Sequence, residues 1–388
     1  MSSNQDVLCE IRDNAVLWYT KDALPLWAKQ GWDEVHGGFH DKLNCDAKPE
    51  PLPKRCRVQA RQIFSLLMYP EITGHSNNPY IGRANEGFNN LLKKFRYADG
   101  SFSFVPLCND NARDPVIDNY DQAFVLLASS HLYQATQNPI AYDTAMQLMS
   151  FLETNRQHPM WGFYEHDKIR GLQKTNPHMH FLEAFLSWAK VDPTGPWLEK
   201  ATSIITGALN SVIDTQTGVV REFSDLKWDP LGDPSLDQVE PGHLFEWASL
   251  LFSYSQLTKT NHLFSQIQQL YKTATSYGIA PDSNLIHSKL THKLAVQSTR
   301  SRFWSHTERV KTALIMPYVD PENSSLFRQH VISAWTGLSQ YLKSSQPLGL
   351  WFDWIDEEGR LVKEPSPASS LYHIANAIFY LKHMDIPH

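Results

Sequence analysis

The sequence predicts an all-α protein, a single (α/α)6 barrel of twelve helices in six hairpins over residues 1–388, with short β-hairpins in the loops at one end. A glycine followed by aromatic or β-branched residues recurs along the chain, and each interval holds two stretches with apolar residues at three- and four-residue spacing. No polar low-complexity linker separates the intervals, which favours closure into one ring. An open helical solenoid or two stacked bundles are the alternatives that this pattern leaves open.

The glycine repeat is nearly periodic. Its members begin near residues 37, 100, 162, 218, 278 and 349, so that successive glycines lie 63, 62, 56, 60 and 71 residues apart. The corresponding segments are HGGFHDKL, DGSFSFVP, WGFYEHD, TGVVREFS, YGIAPDS and LGLWFDWID. The alternation in GVVREFSDLKW predicts small strands in one of the longer loops.

Each interval between these glycines contains two predicted helices. In chain order, the helices are predicted over residues 7–29, 57–71, 82–96, 119–136, 139–155, 178–190, 196–211, 242–258, 261–277, 303–315, 325–343 and 368–384. Start signals support several of them. Pro177 and Pro241 lie where proline is compatible with a first helical turn, and Asp118 and Asp121 add negative charge at the start of the fourth helix.

Composition excludes several classes of function. The net charge is -6 and the basic residues are scattered, so nucleic acid and anionic membranes are not expected partners. The four cysteines show no CxxC spacing, and the start MSSNQDVLCEIRDN does not resemble a secretion signal, which predicts a cytoplasmic protein with free thiols. No window is apolar enough to span a membrane. The aromatic share of 12% suits either a packed core or a surface that binds sugar rings.

Three histidines lie at or near the starts of predicted inner helices. They are His180 in NPHMHFLEAF, His243 in EPGHLFEWA and His373 in LYHIANAIF. If the hairpin loops alternate between the two ends of the barrel, all three meet at one mouth. His180 and His243 are each followed three residues later by a glutamate, Glu183 or Glu246, on the same helix face. A single buried histidine is more often structural, but three at equivalent places predict proton-transfer chemistry.

Metal and cofactor sites have little support in the sequence. His178, His180 and His166 are close enough along the chain to be considered as ligands, but there is no HExxH pattern and no closely spaced carboxylate set. P-loop, dinucleotide-binding and GxSxG patterns are also missing. We therefore predict that the protein uses no metal and no cofactor.

The motifs NPHMHFLEA, EPGHLFEWASLL, RVQARQIFSLL, YDQAFVLLA, FWSHTERVKTAL and the late YHI resemble those of the N-acylglucosamine 2-epimerase superfamily. The resemblance runs from about Trp18 to His373 and itself implies an (α/α)6 barrel. Within the superfamily, PGHxFEWA and FWSHTE are most similar to the mannose isomerase branch.

The resemblance also implies roles for individual residues. His373 would move a proton between C2 and C1 of an open sugar, and His243 would assist ring opening or shuttle a hydroxyl proton. His180 would hydrogen-bond the sugar, and Arg57 would stabilise the enediolate oxygen, whereas Arg61 is expected to be a structural ion-pair residue. The residues expected to contact hydroxyls or wall the ring are Tyr120, Asn176, Arg221, Glu246, Trp304 and Glu308.

The expected reaction is the interconversion of D-mannose and D-fructose, with lyxose or talose as possible further substrates, through a cis-enediol(ate). Three alternatives remain at this point. An aldose or N-acylhexosamine 2-epimerase would share the intermediate, a glycoside hydrolase would use paired carboxylates such as Asp118, Glu183, Glu240 or Glu246, and a binding protein would lack catalysis. The expected partner is one monosaccharide, and the protein is expected to be a monomer or a homodimer.

Overall fold

A computed structural model describes residues 4–107, 117–165, 171–343 and 347–384. Within these ranges the helices are α1 Asn4–Trp18, α2 Leu24–Lys29, α3 Cys56–Leu67, α4 Tyr69–Thr73, α5 Ile81–Phe95, α6 Asn119–Thr136, α7 Pro139–Asn155, α8 Thr175–Val191, α9 Trp197–Ser211, α10 Pro241–Thr258, α11 Phe264–Gly278, α12 Phe303–Val319, α13 Ser324–Ser339 and α14 Leu371–His383. A π-helical turn, Tyr19–Ala23, joins α1 and α2 into one continuous helix. The short α4 extends the end of α3, so the described helices form twelve units, as predicted.

Six of these units form a closed inner ring. Each of α3, α6, α8, α10, α12 and α14 contacts the next, and α14 contacts α3. The outer helices α5, α7, α9, α11 and α13 each pack on the inner helix that precedes them, while α1 packs on α13 and α14. The ring closure confirms the (α/α)6 barrel and rules out the open solenoid.

Burial follows this division into inner and outer helices. In α12 every residue except Tyr318 is buried, because neighbouring helices cover this segment on all sides. Such a helix is expected to be apolar all round. Yet α12 contains Glu308, Arg309 and Lys311 among its buried residues. Buried charges cost free energy unless they are paired, so their presence in the barrel interior indicates a role other than packing.

The glycine repeat corresponds to a repeated turn after each outer helix. In the described chain the turns are closed by the bridges Trp32–Phe39, Arg96–Phe102, Gln157–Phe163, Ile213–Val220, Ile279–Ile286 and Leu342–Trp351. Gly37, Gly100, Gly162, Gly218 and Gly349 take positive φ in five of these turns, a conformation that favours glycine. In the remaining turn Gly278 ends α11 just before the turn, and Asn284, at φ 65°, takes the left-handed position.

The strands are short and anchor the starts of inner helices. They are β1 Lys42–Leu43, β2 Gln173–Lys174, β3 Phe223–Ser224, β4 Lys289–Leu290, β5 Val296–Ser298, β6 Ser301–Arg302, β7 Trp354–Ile355 and β8 Ser366–Pro367. β4 and β5 form a short local hairpin, and the antiparallel bridges that close the turns after the outer helices are further short hairpin contacts of the kind expected. β1 pairs with β8, β2 with β3 and β6 with β7, each across a long separation. Because β2 leads into α8 and β6 into α12, these pairs fix where the inner helices begin.

Several helix boundaries also differ by a few residues from the sequence prediction. The helix predicted over residues 57–71 stops at Leu67, and α4 restarts at Tyr69 with Pro70 in its first turn, where a proline costs no intrahelical hydrogen bond. The helix predicted over residues 325–343 ends at Ser339. No helix among the described residues is long and apolar enough to cross a membrane.

Candidate active site

A cavity of about 140 Å³ lies where the inner helices begin. It is lined by residues near the N-terminal ends of the inner helices and from the segments just before them, namely Arg61, Tyr120, Asn176, His180, Glu240, His243, Glu246, Arg302, Trp304, Ser369, Ser370 and His373. Seven of the ten site residues predicted from the sequence are in this set: His180, His243, His373, Tyr120, Asn176, Glu246 and Trp304. The barrel geometry thus brings together the three histidines that the sequence places far apart.

His373 lies in the first turn of α14 and is oriented by Glu308. Its Nδ1 is 2.8 Å from Oε1 of Glu308, which belongs to α12 and is fully buried. Burial lowers the pKa of His373 to about 4, against the opposing effect of Glu308. The ring is therefore neutral near pH 7, with its Nδ1–H donating to the carboxylate and Nε2 left as a base. Glu308 itself does not line the cavity and contacts it only through His373.

His243, in the first turn of α10, is charged where His373 is neutral. Its Nδ1 lies 2.8 Å from Oε1 of Glu222. Burial lowers the pKa of His243, but Glu222 and Glu240 outweigh this effect and raise it to about 10. His243 is thus an imidazolium at neutral pH and can donate a proton.

Trp304 lies between these two rings. Its ring centroid is 5.1 Å from that of His243 and 5.5 Å from that of His373. The indole therefore forms an apolar wall that separates a charged acid from a neutral base, and a sugar ring can pack against such a surface.

His180 is paired with a carboxylate on its own helix, as the sequence pattern predicted. Its Nδ1 lies 3.2 Å from Oε2 of Glu183, and Glu183 also accepts a hydrogen bond from the hydroxyl of Tyr372. Burial lowers the pKa of His180 to about 4, more than Glu183 raises it. A neutral ring held in this way can hydrogen-bond a substrate.

Glu246 does not pair with His243, contrary to the sequence pattern. The partner of His243 is Glu222, which comes from the loop before α10, and both carboxylate oxygens of Glu246 are buried without a hydrogen-bond partner. Burial and the nearby Glu308 raise the pKa of Glu246 well above its ordinary value. A buried polar group without a partner is costly, so Glu246 is well suited to bind a substrate hydroxyl in the cavity.

Two groups of side chains in the described chain have the geometry to hold a metal ion. They are His180, Glu183 and Glu246, and Glu246, Glu308 and His373. The Nδ1 atoms of His180 and His373 already hydrogen-bond carboxylates within these same groups, and Lys311 neutralises Glu308. A cation would have to displace these contacts, and the absence of a metal requirement stays a prediction. His166, considered above as a ligand, lies outside the described residues.

The two arginines of α3 have exchanged their expected places. Arg57 forms ion pairs with Asp118 and Asp121, at 2.8 and 2.9 Å, and does not line the cavity. Arg61 lines the cavity and donates to the Tyr120 hydroxyl at 2.6 Å, while its Nε is buried without a partner. The expectation that Arg57 faces the substrate and Arg61 is an ion-pair residue is therefore wrong in its geometry.

Arg221 is also placed differently from the prediction. Its guanidinium donates to the backbone oxygens of Ser211 and Trp228, at 2.7 and 3.1 Å, and it does not line the cavity. It anchors the loop that carries Glu222. Sequence reasoning missed Glu222 as the partner of His243, as well as Arg302, Ser369 and Ser370, because they lie in loops or just ahead of helices.

The closed barrel and its mouth define the class of protein: an (α/α)6-barrel enzyme with three histidines, each beside a carboxylate partner, at one small polar cavity. The model of the family described as N-acylglucosamine 2-epimerase (GlcNAc 2-epimerase) matches residues 37–377. The chain belongs to the N-acylglucosamine 2-epimerase family.

Relatives and solved structures agree with this family. The chain is 30% identical over 373 residues to a mannose-6-phosphate isomerase of Rhizobium meliloti strain 1021, covering 94% of this chain and 95% of that protein. It is 21% identical to a cellobiose 2-epimerase of Dictyoglomus turgidum, covering 90% of this chain and 91% of that protein. The structure of cellobiose 2-epimerase from Bacillus thermoamylovorans B4167 is similar at a TM-score of 0.83 and 19% identity, covering 98% of this chain and 99% of that one. A structure of a D-mannose isomerase gives a TM-score of 0.82 at 18% identity, covering 97% of each chain. The protein is accordingly a sugar isomerase or epimerase of this family.

Proposed function

We propose that the protein interconverts D-mannose and D-fructose through a cis-enediol(ate), with His373 as the base that moves a proton between C2 and C1. The observation that carries this proposal is the pairing of a neutral His373 with a charged His243 on either side of Trp304. A weakly acidic C–H next to a carbonyl needs a base and a nearby acid at the same time, and this pair supplies both.

The proton movements can be assigned to the cavity residues. His243 donates a proton to the ring oxygen as the pyranose opens and takes up the proton of the anomeric hydroxyl, so that C1 becomes a carbonyl and His243 is charged again. His373 Nε2 then removes the proton from C2, and the electrons move to the carbonyl oxygen on C1. The same nitrogen returns the proton to C1 while the hydroxyl proton on O2 passes to the oxyanion O1 through His243, which leaves the ketose.

Charge that develops on the enediolate oxygens needs fixed donors. Arg61 is suited to this role, because it lines the cavity and its Nε is buried without a partner. Asn176, with its Oδ1 also unpartnered, and Glu246 are suited to hold sugar hydroxyls. We thus assign to Arg61 the role that the sequence suggested for Arg57.

The charge of His243 favours isomerase over epimerase. A 2-epimerase acts reversibly on both faces of C2, so each of its two groups has to serve as carbon base in one direction. His243, whose pKa of about 10 keeps it protonated, is a poor carbon base at neutral pH. An isomerase needs one carbon base only, and His373 meets that need.

The cavity favours a free sugar over a sugar phosphate. Glu240 and Glu246 line it, and carboxyl groups supply no positive charge to a phosphate dianion. Arg302 also lines it, but its guanidinium is already paired with Asp353 at 2.8 Å. The volume of about 140 Å³ is below the roughly 300–1,000 Å³ of pockets for drug-sized ligands and suits one monosaccharide.

The test is incubation of EDTA-treated protein with D-mannose in deuterated water, followed by NMR. Appearance of D-fructose carrying deuterium at C1 supports the proposal. D-glucose would instead indicate a 2-epimerase, conversion of D-mannose 6-phosphate alone would indicate a phosphosugar isomerase, and cleavage of a mannoside alone would indicate a hydrolase. His373→Gln should be inactive, whereas His75→Gln, at an exposed histidine that does not line the cavity, should match the wild type.

A further inference from the structure

Lys311 lies one helical turn after Glu308 on α12 and is bonded to it. Its Nζ is 2.6 Å from Oε2 of Glu308, whose Oε1 is 2.8 Å from Nδ1 of His373. Lys311 is 3% exposed and Glu308 is not exposed at all. The three side chains therefore form one continuous chain from the barrel interior to the cavity, with each oxygen of Glu308 taken by a different partner.

Lys311 is surrounded by acids. The charged and titratable groups around the Glu308–His373 pair come from the helices packed against it: Arg61 on α3, Glu183 on α8, Glu246 on α10, Lys311 on α12, and Tyr372 and Tyr380 on α14. Burial disfavours the charged ammonium, but Glu308 and Glu246 hold the pKa of Lys311 above its ordinary value. Lys311 is therefore a permanent cation, and without it Glu308 would be a buried carboxylate held by His373 alone.

We propose that Lys311 is a positioning residue: it fixes Glu308 as an ionised carboxylate in one orientation and thereby holds His373 with Nδ1 protonated and Nε2 free. The catalytic use of that Nε2 rests on the proposed function, whereas the link from Lys311 to His373 does not. The physical reason is that a carboxylate bonded on both oxygens cannot rotate without breaking a charge-assisted hydrogen bond. A base that is held in one tautomer and one orientation keeps the geometry that proton transfer requires.

Charge adds a second effect to orientation. Lys311 disfavours uptake of a further proton by the Glu308–His373 pair, because it places a positive charge beside that pair. If Lys311 is replaced by a neutral residue, the pair should bind its proton at higher pH, whether the proton lands on the carboxylate or on the ring. This shift would not follow if Lys311 only filled space.

Lys311 can be reached from the side of the barrel opposite the active site. A second cavity of about 250 Å³ is lined by Lys311 together with residues from the middle and the C-terminal parts of inner helices, among them Lys190, Ser249 and Asn376. A small amine can therefore enter the space that a truncated Lys311 leaves. Lys190 lines the same cavity, but none of the ion pairs of the described chain links it to Glu308, which makes it a matched control.

The first test needs no enzymatic activity. The imidazole of His373 is titrated by NMR in 15N-histidine-labelled protein, with its signal assigned through His373→Gln. We expect a midpoint near pH 4 in the wild type, a higher midpoint in Lys311→Met, and the wild-type value in Lys311→Arg and Lys190→Met. Equal midpoints in the wild type and Lys311→Met would overturn the proposal. If Lys311→Met does not fold, Lys311→Gln, which keeps a hydrogen-bond donor without the charge, takes its place.

The second test uses turnover of D-mannose. In Lys311→Met, kcat should fall by about tenfold or more with KM changed by less than about twofold, because general base catalysis contributes roughly 10²- to 10⁴-fold and substrate contacts are untouched. The acid limb of the kcat–pH profile should move to higher pH. Methylammonium should restore part of kcat in Lys311→Ala and leave Lys190→Met unchanged. If the wild type is active and Lys311→Met has the same kcat and pH profile, the role of Lys311 is overturned and the proposed function stands. If the wild type does not turn over D-mannose, the proposed function is overturned, and the NMR titration still decides the role of Lys311.

Discussion

His243 and His373 are the same residue type in equivalent places, yet their surroundings make the first charged and the second neutral. Each has one carboxylate on Nδ1, but Glu308 is neutralised by Lys311, whereas Glu222 is joined by Glu240 near His243. The net negative charge around His243 holds its proton, and the balanced charge around His373 lets burial remove it. The difference between acid and base is therefore set by the neighbours of the carboxylates.

Glu222→Gln should lower the pKa of His243, so that less of it is protonated at alkaline pH. Removing the carboxylate takes away the strongest attraction for the imidazolium, so the pKa of His243 should fall from about 10. Because the protonated form is the active one, the alkaline limb of the kcat–pH profile should move to lower pH, and kcat at pH 9 should drop by about tenfold or more. Glu199→Gln, at an exposed position on α9, should leave the profile unchanged. An alkaline limb that does not move in Glu222→Gln would show that Glu222 does not hold this proton.

The positions of the histidines could be predicted from the sequence, whereas most of their partners could not. Helical periodicity places His180, His243 and His373 close to helix starts, and the pairing of His180 with Glu183 follows from their spacing on one helix. Glu222 and Glu308 reach their histidines from other elements, so no local pattern reveals them.

The two arginines of α3 are a second case in which partners from another element could not be predicted from the sequence. Arg57 and Arg61 are one turn apart, and the sequence cannot tell which faces the cavity. Which arginine faces the cavity depends on Asp118 and Asp121 at the start of the next inner helix, because these two carboxylates form ion pairs with Arg57.

Among the structural elements, the turns that follow the outer helices control where the inner helices begin. Gly162 shows how tight this control is. It has a φ of +70°, and a Cβ at this position would lie 2.3 Å from the His178 ring. That ring accepts a hydrogen bond from the backbone N–H of Phe163 at 2.9 Å and binds the backbone oxygen of Lys174 at 2.8 Å. The turn, β2 and the start of α8 are thus joined through one histidine.

Gly162→Ala should therefore be strongly destabilising. The left-handed conformation costs about 1–2 kcal/mol for a residue with a Cβ, and the clash with His178 adds roughly 1–3 kcal/mol. Gly359→Ala is the matched control, because Gly359 has a φ of +78° and no atom within 4 Å of the added Cβ. Calorimetric unfolding of both variants should give a clearly lower midpoint for Gly162→Ala. Equal midpoints would mean that the contact with His178 does not matter.

The turns also show how far a repeat can be read from sequence. All six repeat glycines mark a turn after an outer helix, and five of them take the positive φ that glycine adopts without cost. In the remaining turn Asn284, which also tolerates the left-handed region, takes this conformation, and Gly278 ends the helix before it.

The whole molecule is a ring that buries polar groups at its centre. Six inner helices with polar starts can be predicted from the periodicity, and the resemblance to a barrel family leads to the same fold. How small the cavity is depends on side-chain packing from all six helices at once. This is why the sequence identified most of the cavity residues but not the charge states of its histidines.

Burying neutral histidines makes the fold sensitive to acid. Burial lowers the pKa of His178, His180 and His373 to about 4, and that of His306 to about 3. Below pH 6.5 the unfolded chain binds protons that the folded chain does not, so the free energy of unfolding falls as the pH drops from about 6.5 towards these values. Buried carboxyls with raised pKa, such as Glu165 at about 7, act in the opposite direction, because the folded chain binds their protons first.

His306 allows this effect to be measured for one residue. It is fully buried, does not line the active-site cavity, and contacts the Ser301 hydroxyl through Nε2 at 3.1 Å. His306→Gln keeps a hydrogen-bonding group but cannot titrate. At pH 7 the wild type should be the more stable protein, because glutamine packs less well in the histidine site. Between pH 6.5 and 4.5 the wild type should lose stability relative to His306→Gln by up to about 1.4 kcal/mol per pH unit.

Urea unfolding at a series of pH values measures this difference directly. His262→Gln, at an exposed histidine on the outside of the barrel, should follow the wild type at every pH. If the gap between wild type and His306→Gln stayed constant from pH 7 to 4.5, His306 would have to be protonated equally in the folded and unfolded chains. Its ring would then have access to water, which the closed packing of α12 against its neighbours does not allow. A stability difference that shrinks as the pH falls would instead show that keeping His306 neutral in the water-free barrel interior lowers the stability of the fold in acid.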